Sequence, residues 1–221
     1  MIPSVIYLPV LDEYDLWFPP VTEAMSDGLL AMGGDLCTER LMLGYSKGIF
    51  PWFNEDDPIL WWSPDPRCVL FPDHLKVSKS MQQLLKKNAF NFKVDTAFEA
   101  VITQCATVER ADQPGTWITA DIIAAYTALH HAGHAHSAEV WLEDQLVGGL
   151  YGVLLGNVFF GESMFSSVSN ASKYAFISWV RILAAQGIRL IDCQMHTDHL
   201  ESLGAELIPR NEFIQLLAAQ I

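Results

Sequence analysis

HSAEVWLEDQLVGGLYGVLLGNVFFGESM, residues 136–164, holds three apolar runs of strand length, 136–142, 146–154 and 158–164. Two turn-like breaks separate them, Glu143-Asp144-Gln145 and Leu155-Gly156-Asn157. Short apolar runs punctuated by polar and glycine residues predict antiparallel strands in a meander. The period then changes. Asn170 opens an apolar pattern with helical spacing that runs to Gln186, Gly187 stops it, and 189–194 returns to strand character. Meander, helix and strand in that order predict a mixed sheet flanked by helices, an α+β fold.

On either side the chain alternates in the same way. Upstream, 69–71 and 91–94 read as strands, and 78–88, 97–106 and 118–132 as helices, the last capped by Thr119 and stopped by Gly133. Downstream, 203–208 reads as a strand and 213–221 as a short helix. The first third is richer in Pro, Gly and Trp. There Thr38 reads as the N-cap of a short helix through Tyr45, Gly48 ends it, and 49–53 and 59–66 are aromatic extended segments around the polar turn 54–58. The expected division is a small mixed α/β N-terminal domain, 1–66, and a larger C-terminal domain, 67–221. No internal repeat is visible.

The element order of 67–221 is similar to that of an acetyltransferase-like (GNAT) domain. Such a domain cradles a coenzyme A pyrophosphate on glycine-rich backbone at the start of the helix after the meander. Here that link is Ser166-Ser167-Val168-Ser169-Asn170-Ala171-Ser172-Lys173, without glycine. The expectation is a GNAT-like (acyl-CoA N-acyltransferase-like) fold that does not use coenzyme A. The hydroxyls, Lys173 and the helix N–H groups suit either a phosphate of another donor or ordinary capping.

With 221 residues, 51% of them hydrophobic, the chain can bury a full core. The opening Met1-Ile2-Pro3-Ser4-Val5-Ile6-Tyr7 has no basic n-region and is soon followed by Asp12, Glu13 and Asp15, so no secretory signal is expected. The uncharged run 145–161 is short for a bilayer and is broken by Gly148, Gly149, Gly152, Gly156 and Asn157. Cys37, Cys68, Cys105 and Cys193 lie far apart without a CxxC pair, as expected of free thiols in a reducing cytosol. The net charge is −13, but Arg67, Lys76, Lys79, Lys86, Lys87 and Lys93 face a single acid, Asp73, between 67 and 93. That strip is +5 on a chain whose remainder is −18. It reads as a phosphate-holding face or as a solvated lysine-rich helix.

Within the strands, the spacing places Glu162 on one face with Phe160 and Met164, and Asp192 on one face with Leu190 and Gln194. An ionised carboxylate is costly to bury without hydrogen-bond donors. Each is therefore either a satisfied structural residue or the polar end of an apolar pocket. A carboxylate beside an amide suits attack by an amine, and Glu162 among apolar residues suits an ammonium at a pocket mouth. Trp52, Trp61, Trp62 and Trp117 read as core or as stacking walls. Trp52 and Trp117 stand out because they sit in the turn-rich Phe50-Pro51-Trp52-Phe53 and Pro114-Gly115-Thr116-Trp117. His130, His131, His134, His136, His196, Asp198 and His199 offer metal ligands for a hydrolase, but no HExxH pattern is present and no metal is expected. Gly161-Glu162-Ser163-Met164-Phe165 is not a GxSxG elbow.

Several long motifs occur in order: Gly28-Leu29-Leu30-Ala31-Met32-Gly33-Gly34-Asp35-Leu36, Gly48-Ile49-Phe50-Pro51-Trp52-Phe53, Trp61-Trp62-Ser63-Pro64-Asp65-Pro66-Arg67, Gly115-Thr116-Trp117-Ile118, Val147-Gly148-Gly149-Leu150-Tyr151-Gly152, Gly161-Glu162-Ser163-Met164-Phe165-Ser166, Asn170-Ala171-Ser172-Lys173 and Leu190-Ile191-Asp192-Cys193-Gln194. Over nearly its whole length the chain resembles the leucyl/phenylalanyl-tRNA–protein transferase family. The resemblance implies a cytosolic, monomeric enzyme without cofactor or membrane. It would move Leu or Phe, with Met as a third option, from aminoacyl-tRNA to proteins with N-terminal Lys or Arg, marking them for degradation. It further implies that Asp192 and Gln194 act on the acceptor amine, with Asp192 drawing off its proton through Gln194, and that Glu162 holds the donor's amine. Trp52 and Trp117 would flank the terminal adenosine, Leu150, Phe159, Met164 and Ile191 would shape the side-chain pocket, and Arg67, Lys76, Lys79, Lys86 and Lys87 would grip the tRNA. Gln82 and Gln83 stand where the family usually has more basic residues. The acidic remainder suits an acceptor with a cationic first residue.

Overall fold

The computed structural model describes residues 8–108 and 116–221. The opening segment 1–7 and the Pro114-Gly115 turn ahead of Trp117 lie outside the described residues. The aromatic segments of the first third pair into a sheet. Its elements are β1 (Val10–Leu11), β2 (Leu29–Gly33), α1 (Thr38–Ser46), β3 (Phe50–Pro51) and β4 (Leu60–Trp62), and the strand order is β1-β2-β4-β3. Phe50 lies opposite Trp62 and Pro51 opposite Trp61 across the polar turn. Trp61 is fully buried and donates its indole N–H to the Gly33 carbonyl at 2.9 Å, which locks the sheet's centre. Thr38 proves to be the first helical residue of α1. The cap is Cys37, whose sulfur accepts the Arg40 N–H at 3.4 Å.

The second sheet begins at Arg67. Its elements follow as β5 (Arg67–Leu70), α2 (Lys79–Lys86), β6 (Asn91–Val94), α3 (Phe98–Ala106), α4 (Ala120–His131), β7 (Ala135–Leu142), β8 (Gln145–Leu155), β9 (Val158–Ser166), α5 (Ala171–Ala185), β10 (Leu190–Gln194), α6 (Asp198–Ser202), β11 (Glu206–Ile208) and α7 (Arg210–Ala218). The strand order is β11-β5-β10-β9-β8-β7-β6. The central pair β9–β10 is parallel, because α5 carries the chain back across the sheet, and its neighbours are antiparallel. The fold is thus α+β, with mixed sheets and helices. Ser78 and Thr119 cap α2 and α4 through their hydroxyls. Asn170 precedes α5 in a left-handed conformation and its side chain caps nothing; Ser166 Oγ accepts the Ser172 N–H instead. The short α6, capped by Thr197, had no apolar periodicity to announce it.

Two apolar cores cover the second sheet. One joins Phe98, Ile122, Tyr126 and Phe213 to Tyr45 of α1 and to Leu30 and Trp61 of the first sheet, so apolar packing runs across the sheet boundary at 66. The other lies under α5 and α2 and includes Leu150, Phe159, Phe176 and Ile191. No helix of the described residues is long and apolar enough to cross a membrane.

Three irregularities coincide in the middle of the sheet. The β8–β9 ladder slips between Tyr151, opposite Ser163, and Gly152, opposite Gly161, leaving Glu162 as the extra residue of a bulge. The β10–β5 ladder slips between Asp192, opposite Val69, and Gln194, opposite Cys68, leaving Cys193 extra. The β9–β10 pairing ends at Asp192 opposite Phe160 although both strands run on. The bulges break the alternation expected from the sequence. Phe160 belongs to the first core and Met164 packs on the second, so they do not share a face, and Glu162 turns towards Tyr45 and Tyr126 of the first core. Asp192 meets Arg67 and Gln194 meets Glu162, the latter from a backbone φ of 61°.

Gly152 sits beside the Glu162 bulge, and a Cβ there would lie 2.1 Å from the Phe160 carbonyl oxygen and 2.5 Å from the Phe159 ring. Backbone cannot yield as a flexible side chain does. Gly152→Ala is expected to destabilise the protein by about 3 kcal/mol through overpacking, read as a lower urea midpoint at unchanged slope.

Candidate active site

Where β9 and β10 part, a cavity of about 620 Å³ opens. Its apolar wall comes from β8, β9, β10 and α5 through Leu150, Phe159, Met164, Ile191 and Phe176. Phe50, Trp52 and Trp117 line another part, and the polar lining includes Glu162, Ser166, Ser172, Gln194 and His199. All six residues expected around the substrate, Trp52, Trp117, Leu150, Phe159, Met164 and Ile191, border this one space together with Glu162 and Gln194. Trp52 is held at the rim by its neighbour: Trp62 donates its indole N–H to the Trp52 carbonyl at 2.6 Å, with the rings 5.4 Å apart.

Glu162 is fixed from three sides. Oε1 accepts the Tyr45 hydroxyl at 2.8 Å and the Gln194 Nε2–H at 2.9 Å, and Oε2 accepts the Tyr126 hydroxyl at 3.1 Å. The two tyrosine hydroxyls also lie within hydrogen-bond contact of each other, and with one proton apiece a bond between them takes the place of one of the two to Glu162. Tyr45 comes from α1 and Tyr126 from α4, so both parts of the chain hold one carboxylate. Burial raises the Glu162 pKa to about 7; the Asp192 charge adds to the rise, while the three donors hold it down. Burial and the same carboxylate push both tyrosine hydroxyls well above their ordinary range.

Asp192 has a different environment. It is fully buried, and its two oxygens accept the Arg67 Nε–H at 2.8 Å and an Arg67 terminal N–H at 2.7 Å. Oδ1 also accepts the Gln194 backbone N–H at 2.9 Å. Asp192 is not among the residues lining the cavity. The expectation that Arg67 belongs to an exposed tRNA-gripping strip is therefore corrected. Arg67 is fully buried, with its guanidinium 4.8 Å from the Phe50 ring centroid and 4.6 Å from that of Phe213. The internal charge of Asp192 drew it inward, which composition alone does not register. Lys76, Lys79, Lys86, Lys87 and Lys93 do lie exposed.

Sequence reasoning missed Tyr45 and Tyr126 as partners of Glu162, and Phe176, Ser172 and His199 as lining residues. The available signal was a tyrosine on the apolar face of each helix, whose hydroxyl needs a partner when buried. The candidate metal ligands divide between separate places. His130 contacts the Ala135 carbonyl at 2.8 Å and stacks on Phe98, whereas His136 pairs with Asp95 at 2.7 Å. Among the described residues, His196, Asp198 and Glu201 bring ligand atoms within 4.8 Å of one another on the exposed surface.

Comparison with known proteins agrees with this architecture. The family described as leucyl/phenylalanyl-tRNA protein transferase matches residues 69–218, and its N-terminal domain matches 34–65. The leucyl/phenylalanyl-tRNA–protein transferase of Hydrogenovibrio crunogenus is 57% identical over 94% of this chain and 82% of its own length. That of Nitrosospira multiformis is 58% identical over 92% of this chain and 88% of its own. A distant likeness in shape, at a TM-score of 0.37 and 15% identity over 73% of this chain and 59% of the other, is to a GCN5-related N-acetyltransferase-like protein from Streptococcus suis. Matched by the family in both its parts and more than half identical to these relatives over nearly its whole length, this chain belongs to the leucyl/phenylalanyl-tRNA–protein transferase family.

Proposed function

We propose that this chain moves Leu or Phe from aminoacyl-tRNA to the α-amino group of proteins beginning with Lys or Arg, as a monomer in the cytosol, where its four free cysteines stay reduced. The observation that carries this reading is the juxtaposition of an apolar cavity with one lining carboxylate, Glu162, and two tryptophans at its edge. The donor's side chain fills the apolar part, its α-amine meets Glu162, and the terminal adenosine stacks on Trp52 and Trp117. Lys76, Lys79, Lys86 and Lys87 hold the tRNA backbone. The order of meander, helix and parallel strand supports a GNAT-like reading of 67–221 as the catalytic domain.

An aminoacyl ester is already activated, so the chemistry needs a neutral amine held against the ester carbon. An α-amine has a pKa of about 8 and is largely protonated at neutral pH. Gln194, with its amide N–H on Glu162, keeps its amide oxygen for the incoming amine. As nitrogen attacks, the carbon–oxygen ester bond breaks, and the proton released by the amine passes by way of Glu162 to the departing ribose oxygen. A carboxyl with a pKa of about 7 suits both transfers. Asp192 has both oxygens engaged away from the cavity, and its only link to Gln194 is an amide N–H that donates. In place of drawing off the proton, it therefore positions Gln194.

Labelled Phe is expected to pass from Phe-tRNA to a protein starting with Arg in a mixture of pure components; no transfer would sink the reading. Glu162→Gln is expected to lower kcat about 100-fold. Because the ionised carboxylate accepts the proton, wild-type kcat should rise with pH through about 7, and the variant's profile should lose that limb. The same group makes stability fall between about pH 4.5 and 7, since the unfolded chain ionises it first; the size is roughly 3 kcal/mol by linkage, measurable by urea unfolding across pH. Replacing Lys79, Lys86 and Lys87 by Glu should raise the KM for tRNA and flatten its salt dependence while leaving kcat unchanged.

A further inference from the structure

The Arg67 geometry extends past charge neutralisation. Its planar guanidinium meets both Asp192 oxygens at 2.8 and 2.7 Å, an arrangement that fixes the carboxylate's rotation as well as its place. So fixed, Oδ1 receives the Gln194 N–H at 2.9 Å. Gln194 is a non-glycine residue at φ 61°, in the left-handed region that a glutamine adopts only when its surroundings impose it. At this residue the β10–β5 ladder has slipped, and its side chain reaches Glu162 at 2.9 Å. The guanidinium is itself held between the rings of Phe50 and Phe213, and Phe50 lines the cavity two residues before Trp52.

From this continuous set of contacts we infer that Arg67 is a positioning residue for aminoacyl transfer: through Asp192 it holds the Gln194 bulge that presents the Gln194 amide to Glu162 at the cavity. Lysine cannot replace it. A single ammonium lacks the fork that meets both carboxylate oxygens, so Asp192 would turn and release the Gln194 N–H. The assignment rests on the proposed aminoacyl-transfer reading for its kinetic consequence, while its structural core is independent of it.

The test compares wild type, Arg67→Lys, Asp192→Asn and the double variant, each first shown to be folded by circular dichroism. Arg67→Lys should lower kcat about 30-fold and change the KM for Phe-tRNA less than threefold, and its kcat–pH midpoint should move. The double variant should lose no more than the worse single variant, because both substitutions break one chain of contacts. Hydrogen exchange at the Gln194 backbone amide should become at least tenfold faster in Arg67→Lys while amides of α5 keep their protection. A folded Arg67→Lys with wild-type kcat and pH profile, losses that multiply in the double variant, or unchanged Gln194 exchange would each overturn the inference. If Arg67→Lys does not fold, Phe213→Leu, which removes one ring from the clamp and leaves the ion pair intact, should produce the same pattern at smaller amplitude, and a normal profile would count against it. Should the wild type transfer nothing from Phe-tRNA, the functional reading fails by itself, and the exchange measurement still decides whether Arg67 holds the bulge.

Discussion

The buried Arg67–Asp192 ion pair is the constraint around which the second sheet is arranged. Two charges are costly to take out of water, and the return depends on bidentate geometry with every remaining site satisfied. Here the first residue of β5 meets the third of β10, a backbone N–H adds to the carboxylate, and two aromatic faces cover the cation, whose Nη1 is the one buried donor of the pair without a hydrogen-bond partner among the described residues. Losing one partner of such a pair costs about 3–5 kcal/mol, because the other charge is left buried alone. The pair therefore dictates how β5 and β10 meet, and the slipped register beside it is the local consequence.

The parting of β9 from β10 follows from the same region. Parallel pairing holds through Phe160 and Asp192 and then stops, one strand bulging at Glu162 and the other turning at Gln194. Between them lies the space that the cavity occupies, walled by side chains from both apolar cores. A bulge commonly re-aims a side chain next to a functional site. In this chain two bulges on neighbouring strands aim Glu162 and Gln194 at each other.

The two carboxylates show how environment divides chemically similar groups. Asp192 faces a cation with a fixed fork and stays out of the cavity. Glu162 faces only neutral donors, two phenols and an amide, and burial lifts its pKa to about 7. Two buried carboxylates thus differ in their partners and in their access to the cavity. The tyrosines that brace Glu162 come from α1 and α4, so a helix from the first third of the chain helps to hold the carboxylate.

By itself the sequence determined the meander, the helix–strand return and the apolar character of the pocket, because periodicity and turn chemistry are local. The family resemblance that its motifs carry also pointed to Trp52, Trp117, Leu150, Phe159, Met164, Ile191, Glu162 and Gln194, which meet around one cavity. Only the tertiary structure decided which way the two carboxylates point and which cation goes inside. Those outcomes depend on strand register and burial, and a single bulge reverses the alternation that a sequence reader must assume. Arg67 follows directly on Asp65 and Pro66 and looks like the first residue of a basic strip. Its partner lies 125 residues away, and only the fold could bring the two charges together.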